Sequence, residues 1–289
     1  MTMFGSQLIN GLMLGMVYIC MAIGLSIIFG MIGVVNFTHG ILFTLGAYFA
    51  LHVSKAFGFG LTLIISPIIV GLIAMVLEAV FFRPFYGKPH LLGLLLAFGL
   101  ALMLEESIRM IWGIRGFPYD IPKVLQGTIN VGILHYSQYR VFLLLLTVLA
   151  IIGVWLFLEK TSYGMIIRAA SRDSEMVRML GISTKKVFTL SFALGSLLAG
   201  FAGAIVAPLW GVHPAMGSDA LMPSFVVVVI GGLGNFWGAV ISGILLGEVV
   251  SLSIWIWPPM SEAVMYILMG LILLIRPRGL LGEKWKEFE

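Results

Sequence analysis

Apolar runs long enough to cross a lipid bilayer occupy most of this 289-residue chain. About 20 helical residues span the hydrocarbon core, and only helices or closed barrels satisfy their backbone in lipid. The runs are continuous rather than alternating, which favours helices over a barrel. The residues are 60% hydrophobic and only 10% charged, which is too little polar surface to cover a soluble globule. The sequence therefore predicts an all-α polytopic membrane protein.

We predict about eight or nine membrane segments in one transmembrane domain, residues 1–289. It comprises N-terminal helices (1–158), a cytoplasmic loop (159–186) and C-terminal helices (187–289). Two apolar runs are short, Ile41–Val53 and Ala220–Ile230, and each adjoins a Gly-rich break. The longer runs are Leu8–Val35, Leu61–Phe82, Leu91–Ile114, Val141–Leu158, Val187–Ala207, Gly238–Trp255 and Glu262–Ile275.

Lysine and arginine concentrate in three segments, which the positive-inside rule assigns to the cytoplasm. These are the loop with Arg83 and Lys88, the loop 159–186, and the tail from Arg276 onward. The run 220–255 must then turn at residues 231–235, and Ile41–Val53 is predicted to be a half-length return segment, with the N-terminus outside. The rule explains the basic excess of this chain better than nucleic-acid binding does.

Small residues recur at four-residue spacing, which lets helix backbones approach closely in lipid. This spacing predicts a compact bundle and no particular activity. The sets are Gly11 and Gly15; Gly195, Ala199 and Gly203; Gly234 and Gly238; and Gly243 and Gly247.

Two Gly-rich interruptions carry similar Asn-Phe pairs between apolar stretches. Irregular backbone at membrane depth is tolerated where it is buried in protein or lines a watery cavity, and transporters aim such breaks at a solute. Tight turns capped by asparagine are the alternative, and His39 could equally be a hydrogen-bonded structural residue. The predicted substrate pathway comprises Asn36, Phe37, Thr38, His39, Gly40, Gly232, Gly234, Asn235 and Phe236.

Carboxylates inside the apolar runs need partners or a cavity. Glu105 and Glu106 lie four and three residues before Arg109, so that either can pair with it on a helix. An interfacial pair and a polar lining at the outer mouth are both open. Glu78 and Glu248 are single carboxylates for which the sequence names no partner.

The loop 159–186 is the most polar long stretch of the chain. Ser171 or Asp173 can cap a short helix that ends before Gly181. Met176, Val177 and Leu180 fall on one side of this helix. The pattern alone fits docking into a groove on another protein and lying on lipid headgroups equally well.

Motifs for enzymatic chemistry are absent from the sequence. No G-x-x-x-x-G-K-[ST] is present, so this chain is not expected to cradle ATP phosphates. There is also no H-E-x-x-H or paired-cysteine site and no G-x-S-x-G nucleophile motif. We expect no catalytic residues, no metal site and no cofactor in the chain itself.

Several long motifs carry a resemblance that covers nearly the whole chain. They are "GLMLGMVYICMAIGLSIIFGMIGVVNFTHG", "LGAY", "RAASRDSEMVRMLGISTKKVFTLSFALGSLLAGFAGAI", "VVIGGLGNFWGAVISGILLGEVV" and "LILLIRPRGLLG". In this order they resemble the permease subunits of branched-chain amino acid ABC importers, the LivH type.

The resemblance implies a small polar solute, branched-chain amino acids first, moved across a bacterial inner (plasma) membrane by alternating access. It implies three kinds of partner: two cytoplasmic ATPase subunits that bind ATP and Mg²⁺, a related second permease, and a periplasmic solute-binding protein. It also implies that Arg168–Ile182 couples to the ATPases. The predicted coupling residues are Arg168, Arg172, Asp173, Glu175, Met176, Val177, Leu180 and Gly181.

One departure from the family pattern leaves the solute open. The family often has a carboxylate directly after the His-Gly pair, where this chain has Ile41. Aromatic or other organic acids, amides and urea therefore stay as alternative solutes. A different class, an ion- or proton-coupled secondary transporter or channel, would use Glu78, Glu248 or His39 as ion sites.

Overall fold

A computed structural model describes residues 2–131 and 134–282 of the chain, and nearly all of this part is helical. Eight helices of the described residues are long and apolar enough to cross a membrane, which confirms the all-α polytopic class. The α-helices are α1 (Thr2–Ile32), α2 (Thr38–Phe57), α3 (Phe59–Leu77), α4 (His90–Trp112), α5 (Gln138–Lys160), α6 (Ser162–Arg172), α7 (Ser174–Met179), α8 (Thr184–Trp210), α9 (Met216–Gly231), α10 (Phe236–Ile256) and α11 (Ser261–Ile275).

Short irregular elements join these helices. A π-helix (Glu78–Phe82) and a 3-10 helix (Arg83–Phe85) continue α3. In the loop after α4, the strands β1 (Thr128–Val131) and β2 (Leu134–Ser137) pair antiparallel, with Thr128 opposite Ser137. Further 3-10 turns are Lys123–Leu125 and Pro258–Met260.

The prediction that Ile41–Val53 is a half-length segment is wrong. It forms the centre of α2, which has 20 residues and the length to cross the membrane. The run of apolar residues does not include the start of α2, because Thr38 and His39 are polar. Both are fully buried in protein rather than exposed to lipid. The other short run belongs to α9, which is indeed short at 16 residues.

Helix α1 packs antiparallel against α10 through the glycines predicted to permit close approach. A Cβ added at Gly15 would lie 2.7 Å from the carbonyl oxygen of Gly243. One at Gly11 would lie 2.8 Å from the Cα of Glu248. Helix α8 crosses α1 in the same manner, since a Cβ at Gly195 would lie 2.5 Å from the carbonyl oxygen of Gly24. Larger side chains at these positions would force the helices apart.

The bundle is sorted into an inner and an outer set of helices. Most of the central stretches of α1 and α8 are buried within the protein, whereas those of α4, α5 and α11 are mostly exposed. The exposed residues include large apolar side chains such as Leu102, Leu149 and Leu274. Such surfaces require lipid as solvent. The core is therefore built around α1, α2, α8 and α9.

Candidate functional site

The first break, residues 33–37, separates α1 from α2. Gly33 has a φ of +71°, in the left-handed region that glycine adopts without steric cost. The side-chain oxygen of Asn36 accepts a hydrogen bond from the backbone N–H of Thr38 (3.1 Å). The Thr38 hydroxyl donates to the carbonyl oxygen of Ala97 on α4 (3.4 Å), and Phe37 makes an edge contact with Phe98 (5.7 Å). The break is thereby fastened to α4.

His39 and Gly40 attach the start of α2 to two other helices. His39 is fully buried, and its Nε2–H donates to the carbonyl oxygen of Met21 on α1 (3.2 Å). A Cβ at Gly40 would lie 2.7 Å from the carbonyl oxygen of Gly217, at the start of α9. The first break therefore lies where α1, α2, α4 and α9 meet.

Three buried polar atoms in this region have no hydrogen-bond partner among the described residues. They are Asn36 Nδ2, His39 Nδ1 and Ser196 Oγ. Ser196 follows Gly195 in α8. The carbonyl oxygen of Gly195 and the His39 ring both lie next to Gly24 of α1. An unpaired buried polar group costs about 1–3 kcal/mol, so native proteins keep few of them. A donor, an acceptor and a hydroxyl are thus available for a polar solute.

The second break, residues 232–235, separates α9 from α10 and is fastened to the C-terminal tail. Gly232 has a φ of +101°. The Asn235 side-chain oxygen accepts from the backbone N–H of Gly238 (2.8 Å), and its Nδ2 donates to the carbonyl oxygen of Leu281 (2.8 Å). Gly234 has open space beside it, and Phe236 contacts the Trp237 ring (5.6 Å). The second break is thus a capped turn.

The contacts described do not join the two breaks to each other. The first is held by α1, α4 and the start of α9, and the second by residues 280–281. Helix α9 is the element they share, because its first residues lie against Gly40 and its last ones lead into Gly232.

A cavity of about 300 Å³ lies against the first break. Its wall is formed by the end of α1 with the first break, residues 82–90, the first turn of α4, the start of α7, and α8. Its lining includes Asn36, Tyr86, Lys88, His90, Ser174 and Phe188. Two of these segments belong to the loops predicted to be cytoplasmic. The cavity therefore connects a predicted pathway residue, Asn36, with the predicted coupling helix.

The predicted coupling residues lie on α6, α7 and the adjoining turns. Asp173 caps α7 as predicted, since its carboxylate accepts from the backbone N–H of Met176 (2.8 Å). Val177 is buried against the bundle, whereas Met176 and Leu180 are 55% and 72% exposed. Arg168 pairs with Glu159, and Arg178 lies 3.9 Å from Glu175. Arg172 ends α6, and Gly181 follows the helix α7.

A buried network that sequence reasoning missed borders this cavity. The Glu78 carboxylate, with no exposed surface, accepts from Arg83 (2.9 Å), from the Tyr86 hydroxyl (2.7 Å) and from the Thr189 hydroxyl of α8 (2.7 Å). Burial and the hydrogen bond to Glu78 raise the pKa of Tyr86, which keeps its hydroxyl protonated as a donor. In an α-helix, side chains three or four residues apart can pair. The π-helix instead brings together Glu78 and Arg83, which are five residues apart.

The other predicted carboxylates have different surroundings. Arg109 lies 2.5 Å from Glu105 and 3.6 Å from Glu106, and the guanidinium side chain is 40% exposed. Glu248 lies against Gly11, and its Oε2 is buried with no hydrogen-bond partner among the described residues. Glu78 therefore has hydrogen-bond partners in the structure, whereas Glu248 Oε2 has none among the described residues.

A bundle of membrane-spanning helices with a short helical loop, α6 and α7, between two of them is typical of a membrane transport permease. The chain belongs to the family of permease components of branched-chain amino acid transport systems, whose family model matches residues 7–274. The resemblance noted from the motifs is thereby confirmed.

Two relatives, LivH and BraD, match over almost their whole length. The high-affinity branched-chain amino acid transport system permease protein LivH of Escherichia coli (strain K12) is 30% identical over 97% of this chain and 96% of LivH. The high-affinity branched-chain amino acid transport system permease protein BraD of Pseudomonas aeruginosa is 30% identical over 96% of this chain and 95% of BraD. The E. coli permease LivM is 27% identical over 93% of this chain and 68% of LivM. No solved structure matches the chain.

Proposed function

We propose that this chain is the translocation subunit of an ATP-driven importer whose separate cytoplasmic ATPase subunits bind ATP and Mg²⁺. The proposed further partners are a related second permease and a periplasmic solute-binding protein. Membership of the permease family supports this assignment. LivH and LivM of E. coli carry the name of one transport system, which supports a paralogous rather than identical second permease.

Branched-chain amino acids are the first candidates for the solute, because the names of LivH and BraD specify them. Ile41 is buried in the apolar core at the position where the family often has a carboxylate. No ammonium group can be bound through that side chain. Aromatic or other organic acids, amides and urea are therefore the alternatives.

The observation that carries the proposal is the cavity shared by Asn36 and Ser174. Ser174 begins α7, and α7 exposes Met176, Met179 and Leu180 on the outside of the bundle. An ATPase bound to these side chains would move α7 and, with it, one wall of the cavity beside the first break. ATP binding could thereby change the access of solute to Asn36 and His39.

The solute must interact differently with the two states for transport to be coupled. Asn36 and His39, together with Ser196, are the groups we propose for these contacts, because their free donors and acceptors are buried at the first break. Residues Gly232–Phe236 are proposed as the second part of the pathway, linked to the first by α9. A larger side chain at Gly40 would not test these contacts, because it would clash with Gly217 whether or not the first break binds solute.

The test is uptake of L-leucine into proteoliposomes that contain this chain with the subunits that co-purify with it, the receptor added outside and ATP inside. Met176→Asp and Leu180→Asp should each lower uptake and ATPase retention by about tenfold or more, because burying such a side chain contributes about 1.5–3 kcal/mol. Met176→Leu and Leu180→Met are the matched controls and should transport normally.

Retained ATPase and normal uptake in both aspartate variants would contradict the coupling role of α7. Uptake that needs an ion gradient and no ATP would instead favour a secondary transporter. In that case Glu248, whose carboxylate has an unpartnered buried oxygen, would be the first ion site to examine.

A further inference from the structure

A second cavity, of about 350 Å³, lies at the opposite end of the bundle from the cytoplasmic loops. It is formed where the first turns of α1, the end of α8, the start of α5 and the loop after α4 come together. Its lining is Ser6, Asn10, Ile121, Tyr136, Ser137, Arg140 and Leu209. The positive-inside rule assigns this end to the outside, so a solute arriving from outside meets this cavity first.

Hydrogen-bond donors dominate the polar part of the wall. Arg140 Nη1 and the Tyr136 hydroxyl both donate to one acceptor, the side-chain oxygen of Asn10, at 2.7 and 2.9 Å. The Arg140 guanidinium also lies 5.8 Å from the Tyr136 ring centroid. A guanidinium has five N–H donors and no acceptor, so most of its donors are left for another group.

No carboxylate of the described residues lies within ion-pair distance of Arg140. Two arginines elsewhere in the bundle are paired with carboxylates, Arg83 with Glu78 and Arg109 with Glu105. The cavity lining contains no acidic side chain, and two aliphatic side chains, Ile121 and Leu209, complete it. A fixed positive charge without a counter-charge, next to an apolar wall, is complementary to a carboxylate that carries a short aliphatic group.

We propose that this outer cavity binds the carboxylate of a small aliphatic acid, with Arg140 as the charged partner and Ser137 as a further donor. Asn10 holds the guanidinium in place, and Ile121 and Leu209 contact the aliphatic part. The volume is within the range of small-molecule sites. The inference rests on the proposed import function for its biological meaning, since a solute would bind here before it reaches the first break.

The closing experiment measures binding rather than transport. Saturation-transfer NMR with isovalerate is recorded on the full chain in lipid nanodiscs, with isovaleramide as the uncharged isostere and empty nanodiscs as background. Isovalerate should give a saturation-transfer signal above background, whereas isovaleramide should give none above background. Arg140→Gln should lower it about tenfold or more, since charge-assisted hydrogen bonds are the strong ones. The matched control is Arg115→Gln, which removes an exposed charge from the same outer loop.

Equal signals from the acid and the amide, or an Arg140→Gln signal equal to that of the unaltered protein, would overturn the proposal. If Arg140→Gln does not fold, the comparison of acid and amide on the unaltered protein still decides. Failure of the proposed transport function is seen separately, as absent ATP-dependent leucine uptake, and leaves this binding result unaffected.

Discussion

Buried polar groups in this protein fall into two sets that differ in how well they are satisfied. Glu78 has three donating neighbours, Arg83, Tyr86 and Thr189, and no exposed surface. Asn36 and His39 each retain a buried atom without a partner among the described residues. Because unpaired buried groups are costly, the first set is suited to holding the structure, and the second to contacting something that comes and goes.

Removing the charge that faces Glu78 should destabilise the fold. Arg83→Ala leaves a buried carboxylate without its counter-charge, which typically costs about 3–5 kcal/mol. Arg83 keeps 35% of its side-chain surface, so we expect a smaller loss of stability than for a fully buried pair. The measurement is the thermal unfolding temperature in detergent, with Arg115→Ala as the control.

A second variant separates charge from packing. Glu78→Gln combined with Arg83→Ala removes both charges, while Tyr86 and Thr189 still have an acceptor, so most of the lost stability should return. An Arg83→Ala protein that unfolds at the unaltered temperature would show that the ion pair contributes nothing to the fold.

Among the helices, α1 and α10 pack together through small residues. Gly15 lies against Gly243, and Gly11 lies against Glu248. In lipid there is no hydrophobic drive for helices to associate, so close packing of this kind supplies much of the attraction. The single glycine of α5, Gly153, does not lie against another helix, because open space lies beside it.

Leucine substitution at two helix-interior glycines should therefore have opposite effects. Gly15→Leu overpacks the α1–α10 contact and should cost about 3 kcal/mol or more. Gly153→Leu meets no neighbour and should be neutral or stabilising by about 0.5–1 kcal/mol, because glycine weakens a helix interior. Thermal unfolding of the two purified variants compares them directly. Equal losses of stability would mean that the glycine contact does not hold α1 to α10.

The whole molecule has two chemically distinct ends. The Ser251 hydroxyl donates to the carbonyl oxygen of Gln7 (2.8 Å), which places the start of α1 beside the end of α10. At the other end of α10, Leu280 and Leu281 donate backbone hydrogen bonds to Ile230 and Gly231. The start of α1 and residues 280–281 therefore lie at opposite ends of the bundle.

This arrangement predicts the sidedness of labelling by a membrane-impermeant maleimide. Cys20 is the single cysteine and is buried, so a Cys20→Ser background is suitable. Phe4→Cys, at an exposed position, should be labelled from outside intact cells. Arg278→Cys should be labelled only after the membrane is opened, because the basic tail is retained in the cytoplasm. The reverse pattern would mean an inverted topology.

Much of the architecture was predictable because hydropathy is a property of consecutive residues. Apolar runs located the helices, and the polar stretch 159–186 predicted α7 with Ser171 or Asp173 as its cap, of which Asp173 is the cap, but did not predict α6. The same local reading failed at α2, whose polar Thr38 and His39 are buried by other helices. It also missed the Glu78–Arg83 pair, since a π-helix is not visible in the spacing of side chains.

The chain by itself determined its solvent, its helical class and its family, because each follows from local composition or from motifs read in order. Tertiary packing alone decided which glycines meet, what surrounds Glu78, that Asn36 and Ser174 share a cavity, and that Arg140 reaches Asn10 across 130 positions. Those relations join residues far apart in the sequence, and their energies depend on burial that only the assembled bundle creates.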